Sequence, residues 1–305
     1  MKNKFVTVAG IQSAVSNDLK ENLINTVRMV ERAIQEGAEI ICLQELFRTP
    51  YFPQYKKEKK PARNAEGIAS VGGDKYSESI PGESTSVFSA IAKKYKVVII
   101  VPIYEKDKKG RYHNSAVVIN TDGKLLPTYR KIHIPQDPLF YEKNYFENGD
   151  TGYKIYKTKY ATFAVLICYD QWFPEAARSV KILGADIVFY PTAIGNIVDV
   201  KEHEGDWHDA WETSMRAHAI ANSLHVVAVN RVGTEGKLKF WGQSFICDAF
   251  GKVIKRGDNN NDEIVIEKID LATNKIIEDE WGFIRNRRTD TYKHLIKKNV
   301  GRNKK

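Results

Sequence analysis

Cys168 closes an apolar run, Ala161 to Cys168 (ATFAVLIC), and is followed by Tyr169, Asp170, Gln171, Trp172, Phe173, Pro174 and Glu175, where a helix is expected to begin. Pro174 suits the first helical turn, in which its missing N–H is no loss. A cysteine at such a strand-to-helix turn projects its sulfur from the sheet edge. It stands beside backbone N–H groups free to hold an oxyanion and beside a helix N-terminus that favours a thiolate. Glu45 ends a second apolar run, Glu39 to Leu43 followed by Gln44, and precedes Leu46 and Phe47; desolvation there makes a carboxylate a better base. Lys131 lies in the segment Tyr129 to Pro135 (YRKIHIP), and an ammonium held beside a thiol stabilises both a thiolate and a tetrahedral oxyanion. Glu142, an acid among aromatic residues in PLFYEK, can orient that lysine or assist the base. Taken singly, each has a plainer reading: a buried structural cysteine, an acid at a loop start, a solvated lysine, a surface ion pair. Together they are a nucleophile, a base and a cation.

Other residues give weaker signals. Cys42 and Cys247 sit inside strand-like runs and read as structural. His203, His208 and His218 match no familiar metal-ligand spacing. Trp207, Trp211 and Met215 recur at helical spacing and read as core or interface. No G-x-S-x-G, Walker A or dinucleotide-binding glycine pattern occurs. A metal or cofactor is not required, because the three groups supply nucleophile, base and charge themselves.

The elements that must position them can be read from periodicity. Phe5 to Gln12 reads as a strand. Asp18 to Glu36, with Leu23, Val27, Val30 and Ile34 at helical spacing, reads as a helix stopped by Gly37. Thr49 to Gly82 reads as a long irregular stretch of the kind that often serves function. Ser84 to Tyr95 is expected to be a helix and Val97 to Val101 a buried strand. Tyr112 to Asn120 and Lys124 to Tyr129 form a predicted hairpin about Asp122-Gly123. Helices are expected over Glu175 to Leu183 and Asp206 to Ser223, with strands over Ala185 to Tyr190, His225 to Asn230, Gln243 to Cys247 and Glu263 to Ile269. The last thirty or so residues, from about 275 to 305, read as an extended arm with a basic end. Strands alternating with helices argue for one α/β domain spanning 1–305, with mixed sheets and helices outside.

Composition narrows the setting. The chain has 305 residues, 42% hydrophobic and 28% charged, with a formal net charge of +9, enough apolar material for a sizeable core. The cationic residues are scattered apart from Lys56 to Lys60 and Lys297 to Lys305, so they read as solvated surface and no nucleic-acid partner is expected. Three distant cysteines imply no disulfide framework and a reducing compartment. No apolar stretch spans a bilayer and no secretory signal opens the chain, so a cytoplasmic protein without a membrane partner is expected.

The ordered set of Glu45, the R-K-x-H segment with Lys131, the Cys168 turn, Pro191 and Asn230-Arg231 resembles the nitrilase (carbon–nitrogen hydrolase) superfamily, which uses a Glu-Lys-Cys triad. The likeness runs nearly the full chain and includes Cys168 to Arg178 (CYDQWFPEAAR), Tyr190 to Gly195 (YPTAIG), Phe240 to Phe245 (FWGQSF), Pro135 to Gly149 and Trp281 to Tyr292 (WGFIRNRRTDTY). It implies a four-layer αββα sandwich and a homo-oligomer, dimer or larger. It also implies Glu45 as base, Lys131 and the Tyr169 backbone N–H as oxyanion holders, Glu142 as support and a covalent thioester-type intermediate on Cys168. Superfamily members that act on N-carbamoyl-D-amino acids resemble C-N-D-R-R-W-P-E at the turn, and those arginines hold a carboxylate. Here Gln171 and Trp172 stand instead, so the expected substrate is a small ureido compound with a cationic tail, with Trp172 along its alkyl part. The superfamily's plant members with such substrates place a Glu soon after YPTAIG. Asn196 and Ile197 follow here, leaving Asp199, Glu202 and Glu204 as candidates for the ammonium contact. The alternatives are another small-amide or ureido hydrolase, such as a ureidopropionase or an N-carbamoyl-amino-acid hydrolase, or a non-enzymatic binding protein on the same fold.

Overall fold

The computed structural model describes residues 5–56, 73–200 and 203–297. Strands and helices are numbered in chain order. The first sheet contains β1 (Phe5–Gln12), β2 (Ile40–Leu43), β3 (Val98–Lys106), β4 (Tyr112–Ile119), β5 (Tyr129–Arg130) and β15 (Glu263–Asp270), in the order β15-β1-β2-β3-β4-β5. The second contains β6 (Ile155–Lys157), β7 (Thr162–Val165), β8 (Ile187–Pro191), β10 (His225–Val229), β13 (Phe245–Cys247) and β14 (Val253–Arg256), in the order β14-β13-β10-β8-β7-β6. Three short strands, β9 (Gly195–Ile197), β11 (Val232–Glu235) and β12 (Leu238–Trp241), form a small third sheet. The helices are α1 (Leu19–Gln35), α2 (Glu83–Tyr95), α3 (Pro174–Ile182), α4 (Trp207–Asn222) and α5 (Ala272–Trp281).

The two large sheets share one pattern. In each, a parallel trio follows the path strand–helix–strand–helix–strand: β1-α1-β2-α2-β3 in one, β7-α3-β8-α4-β10 in the other. Antiparallel strands flank each trio. Alternation along the strands builds the layers. Val6, Val8, Ile40, Cys42, Val98 and Ile100 face the second sheet and share a core with Phe163, Val165, Val188 and Val226. Ala9, Ile11, Ile41, Leu43, Ile99 and Val101 face outward, against Leu23, Met29, Val30 and Ala33 of α1 and Phe88, Ile91 and Ala92 of α2. α3 and α4 cover the outer face of the second sheet. The result is the expected αββα sandwich. Gly10 marks a close approach of the sheets: a Cβ there would lie 2.8 Å from Val229 Cγ2.

Local signals set the helix ends. Asp18 caps α1 by accepting the Lys20 and Glu21 N–H groups at 2.8 and 3.2 Å, Asp206 caps α4 through the Asp209 N–H, and Pro174 opens α3. Four expectations change. The strand before the cysteine ends at Val165, so Cys168 belongs to a single helical turn, Cys168–Trp172, and not to the strand. Only Leu125 bridges back to Ile119 in the predicted hairpin, because Pro127 has no N–H for the ladder; the return resumes as the two-residue β5. The small third sheet was hidden by strands of three and four residues with polar positions. The C-terminal arm begins as the helix α5, anchored by Asn274, whose side chain pairs with the Asp186 carbonyl and His225 Nδ1, and by Lys181–Glu278 at 2.8 Å. Of the long stretch from Thr49 to Gly82, residues 57–72 lie outside the described residues, as do 298–305 of the basic end.

Candidate functional site

The described ends of both parallel trios meet at one place. Glu45 follows β2, Lys131 follows β5, and Cys168 follows β7 from the opposite sheet. Ligand sites of open α/β sheets collect at such carboxyl ends. The turn after Glu45 puts Leu46 at φ 51°, and Cys168 itself has φ 44°. These left-handed backbones cost about 1–3 kcal/mol each in a non-glycine residue and persist only where surroundings hold them.

Two buried side chains do the holding. The Arg231 guanidinium donates to the Glu45 and Leu46 carbonyls at 2.9 and 3.0 Å and pairs with Glu235 at 2.6 Å. Glu235 in turn accepts the Tyr51 N–H. Asp170 accepts the Ile167 N–H at 2.9 Å, the Tyr129 hydroxyl at 2.7 Å and the His133 N–H at 3.0 Å, and its Oδ1 lies 2.7 Å from His133 Nδ1. It thereby ties the cysteine turn to the lysine segment. Sequence reasoning noted Arg231 only as part of a motif and gave Asp170 no role; their use is tertiary and leaves no spacing signal. Arg231→Met should lose about 3–5 kcal/mol of stability, since the Glu235 carboxylate loses its cation and the Glu45 and Leu46 carbonyls lose their donor. Thermal or urea unfolding reads this, and a loss under about 1 kcal/mol would refute the bracing role.

Lys131 is the hub. Its Nζ lies 2.8 Å from Glu45 Oε1 and 2.7 Å from Glu142 Oε2, and all three side chains are fully buried. Asn114 Nδ2 donates to Glu45 Oε1 at 2.7 Å and the Tyr51 hydroxyl donates to Glu142 Oε1 at 2.8 Å. Among the described residues, Glu45 Oε2 has no hydrogen-bond partner, an oxygen available to take a proton. Burial alone pulls the Lys131 ammonium toward neutrality, but the Glu142 and Glu45 carboxylates outweigh it and hold the charge. Burial pushes Glu142 up to about 7, with Lys131 opposing and Glu45 reinforcing. Asn114 and Tyr51 were missed by sequence reasoning, since neither type at its position carries a chemical signature.

The thiol differs from expectation. A helix N-terminus and an ammonium predict a lowered thiol pKa. Here burial, and then the Glu45 carboxylate, push the Cys168 thiol well up against the opposing influence of Lys131. Desolvation of a thiol that is 6% exposed wins over one cation already shared by two carboxylates. The shift favours the neutral thiol over the thiolate.

Cys168 opens on a cavity of about 500 Å³ lined mainly by apolar side chains, including Pro138, Phe140, Trp172, Ile194, Ile197 and Trp207. Tyr169, Glu142, His203, Glu204 and Asp137 complete its polar lining. Of the predicted substrate contacts, Tyr169, Trp172 and Glu204 line this cavity; Asp199 sits in an exposed turn and is not among the lining residues, and Glu202 lies outside the described residues. Gln171 does not face the cavity. Its Oε1 accepts Thr192 Oγ1 at 3.1 Å and Trp211 Nε1 at 3.0 Å, which turns it into the core under α4. Trp211 and Met215 are buried core as predicted, but Trp207 lines the cavity. Asp137 was not anticipated.

A thiol on an apolar cavity, with a buried ammonium–carboxylate cluster close enough to act on its charge, on this sandwich fits the class that the family match shows: an amidohydrolase acting on carbon–nitrogen bonds other than peptide bonds. The chain belongs to the carbon–nitrogen hydrolase family, which it matches over residues 5–275. It is 39% identical to an N-carbamoylputrescine amidase of Solanum lycopersicum, over 97% of this chain and 96% of that one. It is 35% identical to a citrullinase of Francisella tularensis, over 96% and 99%. A crystal structure of a carbon–nitrogen hydrolase from Helicobacter pylori G27 superposes with a TM-score of 0.87 at 35% identity, covering 97% of this chain and all of that one. No described helix is long and apolar enough to cross a membrane.

Proposed function

We propose that the protein hydrolyses N-carbamoylputrescine to putrescine, carbon dioxide and ammonia, a step of polyamine biosynthesis. The observation that carries the reading is the cavity above Cys168: its described lining includes carboxylates and no lysine or arginine. A cationic tail is favoured there, and a substrate carboxylate finds no guanidinium or ammonium clamp among the described residues. The plant relatives of that activity support the choice.

In this reading Glu45 takes the Cys168 proton as sulfur attacks the ureido carbon. Lys131 and the Tyr169 N–H hold the oxyanion. One nitrogen of the urea departs with a proton returned by Glu45, leaving a carbamoyl thioester on Cys168. Glu45 then activates water, which cleaves the carbon–sulfur bond and regenerates the thiol; the second carbon–nitrogen bond breaks as the released carbamate loses carbon dioxide. Glu142 holds Lys131 in place, and Trp172 packs along the alkyl chain.

Ammonia release by the purified protein tests this on N-carbamoylputrescine beside N-carbamoyl-β-alanine, citrulline, an N-carbamoyl-D-amino acid and a simple nitrile. The expected result is a kcat/KM at least about tenfold higher on the cationic substrate, the scale of one charge-assisted contact. Preference for a carboxylate-bearing substrate would overturn the substrate assignment and leave the family standing.

A further inference from the structure

We propose that Asp137 is the specificity-determining carboxylate of this site, receiving the terminal ammonium of an ω-ureido amine whose carbonyl sits at Cys168. The inference rests on the proposed function and assigns a contact that it left open.

Asp137 lines the same cavity as Cys168. Among the described residues, its carboxylate has no hydrogen-bond or ion-pair partner. The acids that brace the fold are all engaged: Glu105 with Arg130, Asp107 with Arg111, Asp170 with Tyr129 and His133, Glu235 with Arg231. Asp137 is solvent-exposed as well as lining the cavity, so its charge can pair with a ligand's cation without breaking a contact to the protein.

The backbone presents this carboxylate on a fixed turn. The Asp137 carbonyl accepts the Phe140 N–H at 2.9 Å, and Leu139 between them has φ 63°. Gln136 Oε1 accepts the Lys143 N–H at 3.1 Å, and the Tyr141 N–H reaches the Pro53 carbonyl at 2.9 Å. The turn lies between Lys131 and Glu142 in the chain and is tied to the segment that carries Glu142. The same lining carries Pro138, Phe140, Trp172 and Ile194, apolar surface suited to a methylene chain between thiol and carboxylate. The Tyr169 phenol, next to Cys168, registers the acid: burial pushes it up first, and the Asp137 charge adds to the shift. Glu204 lines the cavity from the segment leading into α4, with Trp207 and Ala210. It comes from a different segment of the chain, not from the stretch between Lys131 and Glu142.

The test compares N-carbamoylputrescine with N-pentylurea, in which a methyl group replaces the ammonium. Asp137→Asn keeps the shape and removes the charge. It should raise KM for the cationic substrate about tenfold, leave kcat within about twofold, and move KM for N-pentylurea by less than about twofold. Glu204→Gln should have the smaller effect on the cationic substrate. An unaltered KM for N-carbamoylputrescine in Asp137→Asn, or equal losses on both ureas, overturns the proposal. A wild-type enzyme that prefers N-carbamoyl-β-alanine to either urea overturns the function instead. In that event calorimetric binding of 1,4-diaminobutane to the Cys168→Ala protein, with and without Asp137→Asn, still reads Asp137: about tenfold weaker binding supports it, and equal affinity rejects it.

Discussion

Cys168→Ala should fold as the wild type does and lose turnover by about 10⁵-fold or more, the scale seen when the nucleophile of a catalytic unit is removed. The structural argument for an intact fold is specific. Among the described residues the sulfur's one hydrogen-bond contact is weak, 3.9 Å to the Ala193 carbonyl, and replacing cysteine by alanine removes a single heavy atom at a cavity wall. The backbone at φ 44° strains alanine no more than cysteine, since both carry a Cβ. Asp170 continues to hold the turn through Ile167, Tyr129 and His133. The argument for lost activity is equally specific. With the thiol gone, Glu45 and Lys131 can polarise a urea, but nothing in the cavity forms the covalent bond. Ammonia release, circular dichroism and thermal unfolding on the same preparation check both halves. Turnover within tenfold of wild type would remove Cys168 from the chemistry. A protein that fails to fold would refute the account of how the turn is braced.

Legibility in the sequence followed from how local each device is. Individual strands of the parallel trios were visible because Ile40–Leu43 and the start of Val98–Lys106 are continuous apolar runs, but their grouping into trios was not. Helices α1 and α4 were visible because apolar residues recur at helical spacing, Leu23, Val27, Val30 and Ile34 in one and Trp207, Trp211 and Met215 in the other. Glu45, Lys131, Glu142 and Cys168 were singled out because each stands at the end of an element or in an unusual local setting. The pairing among them was a different matter. Asn114 meets Glu45 across 69 positions and Tyr51 meets Glu142 across 91, distances at which no periodicity speaks. Gln171 shows the limit from the other side. The turn Cys168–Trp172 winds helically, so neighbours point apart: Trp172 lines the cavity and Gln171 enters the core. A motif read as a line of letters cannot separate them. The thiol's pKa is the same lesson in electrostatics. Its neighbours were foreseen, but how deeply they are buried, and how many carboxylates share one ammonium, is set only by the packed sheets.

Lys131→Met should damage activity and stability together, and the pH dependence of the stability loss identifies the cause. Methionine has nearly the right length and no charge, so packing is largely kept. What goes is the only cation between Glu45 and Glu142 among the described residues, at 2.8 and 2.7 Å. Two buried carboxylates then face each other with Asn114 and Tyr51 as their remaining donors. Removing one partner of a buried ionic cluster costs about 3–5 kcal/mol. The sign with pH follows from proton uptake. Burial already lifts Glu142 to about 7 in the presence of Lys131, and loss of the ammonium raises it further. Between the ordinary carboxylate range and that raised value, the folded variant binds more protons than the unfolded chain, so its stability rises as pH falls through this window. The variant should therefore be closest to wild type near pH 5 and furthest from it near pH 8, in unfolding free energies measured across that range. Turnover should fall by about 10³-fold or more at every pH, because the oxyanion loses its charged partner. A pH-independent loss of stability would mean that the lysine's role in the fold is packing alone. Retained turnover would show that the oxyanion is held by backbone N–H groups without it.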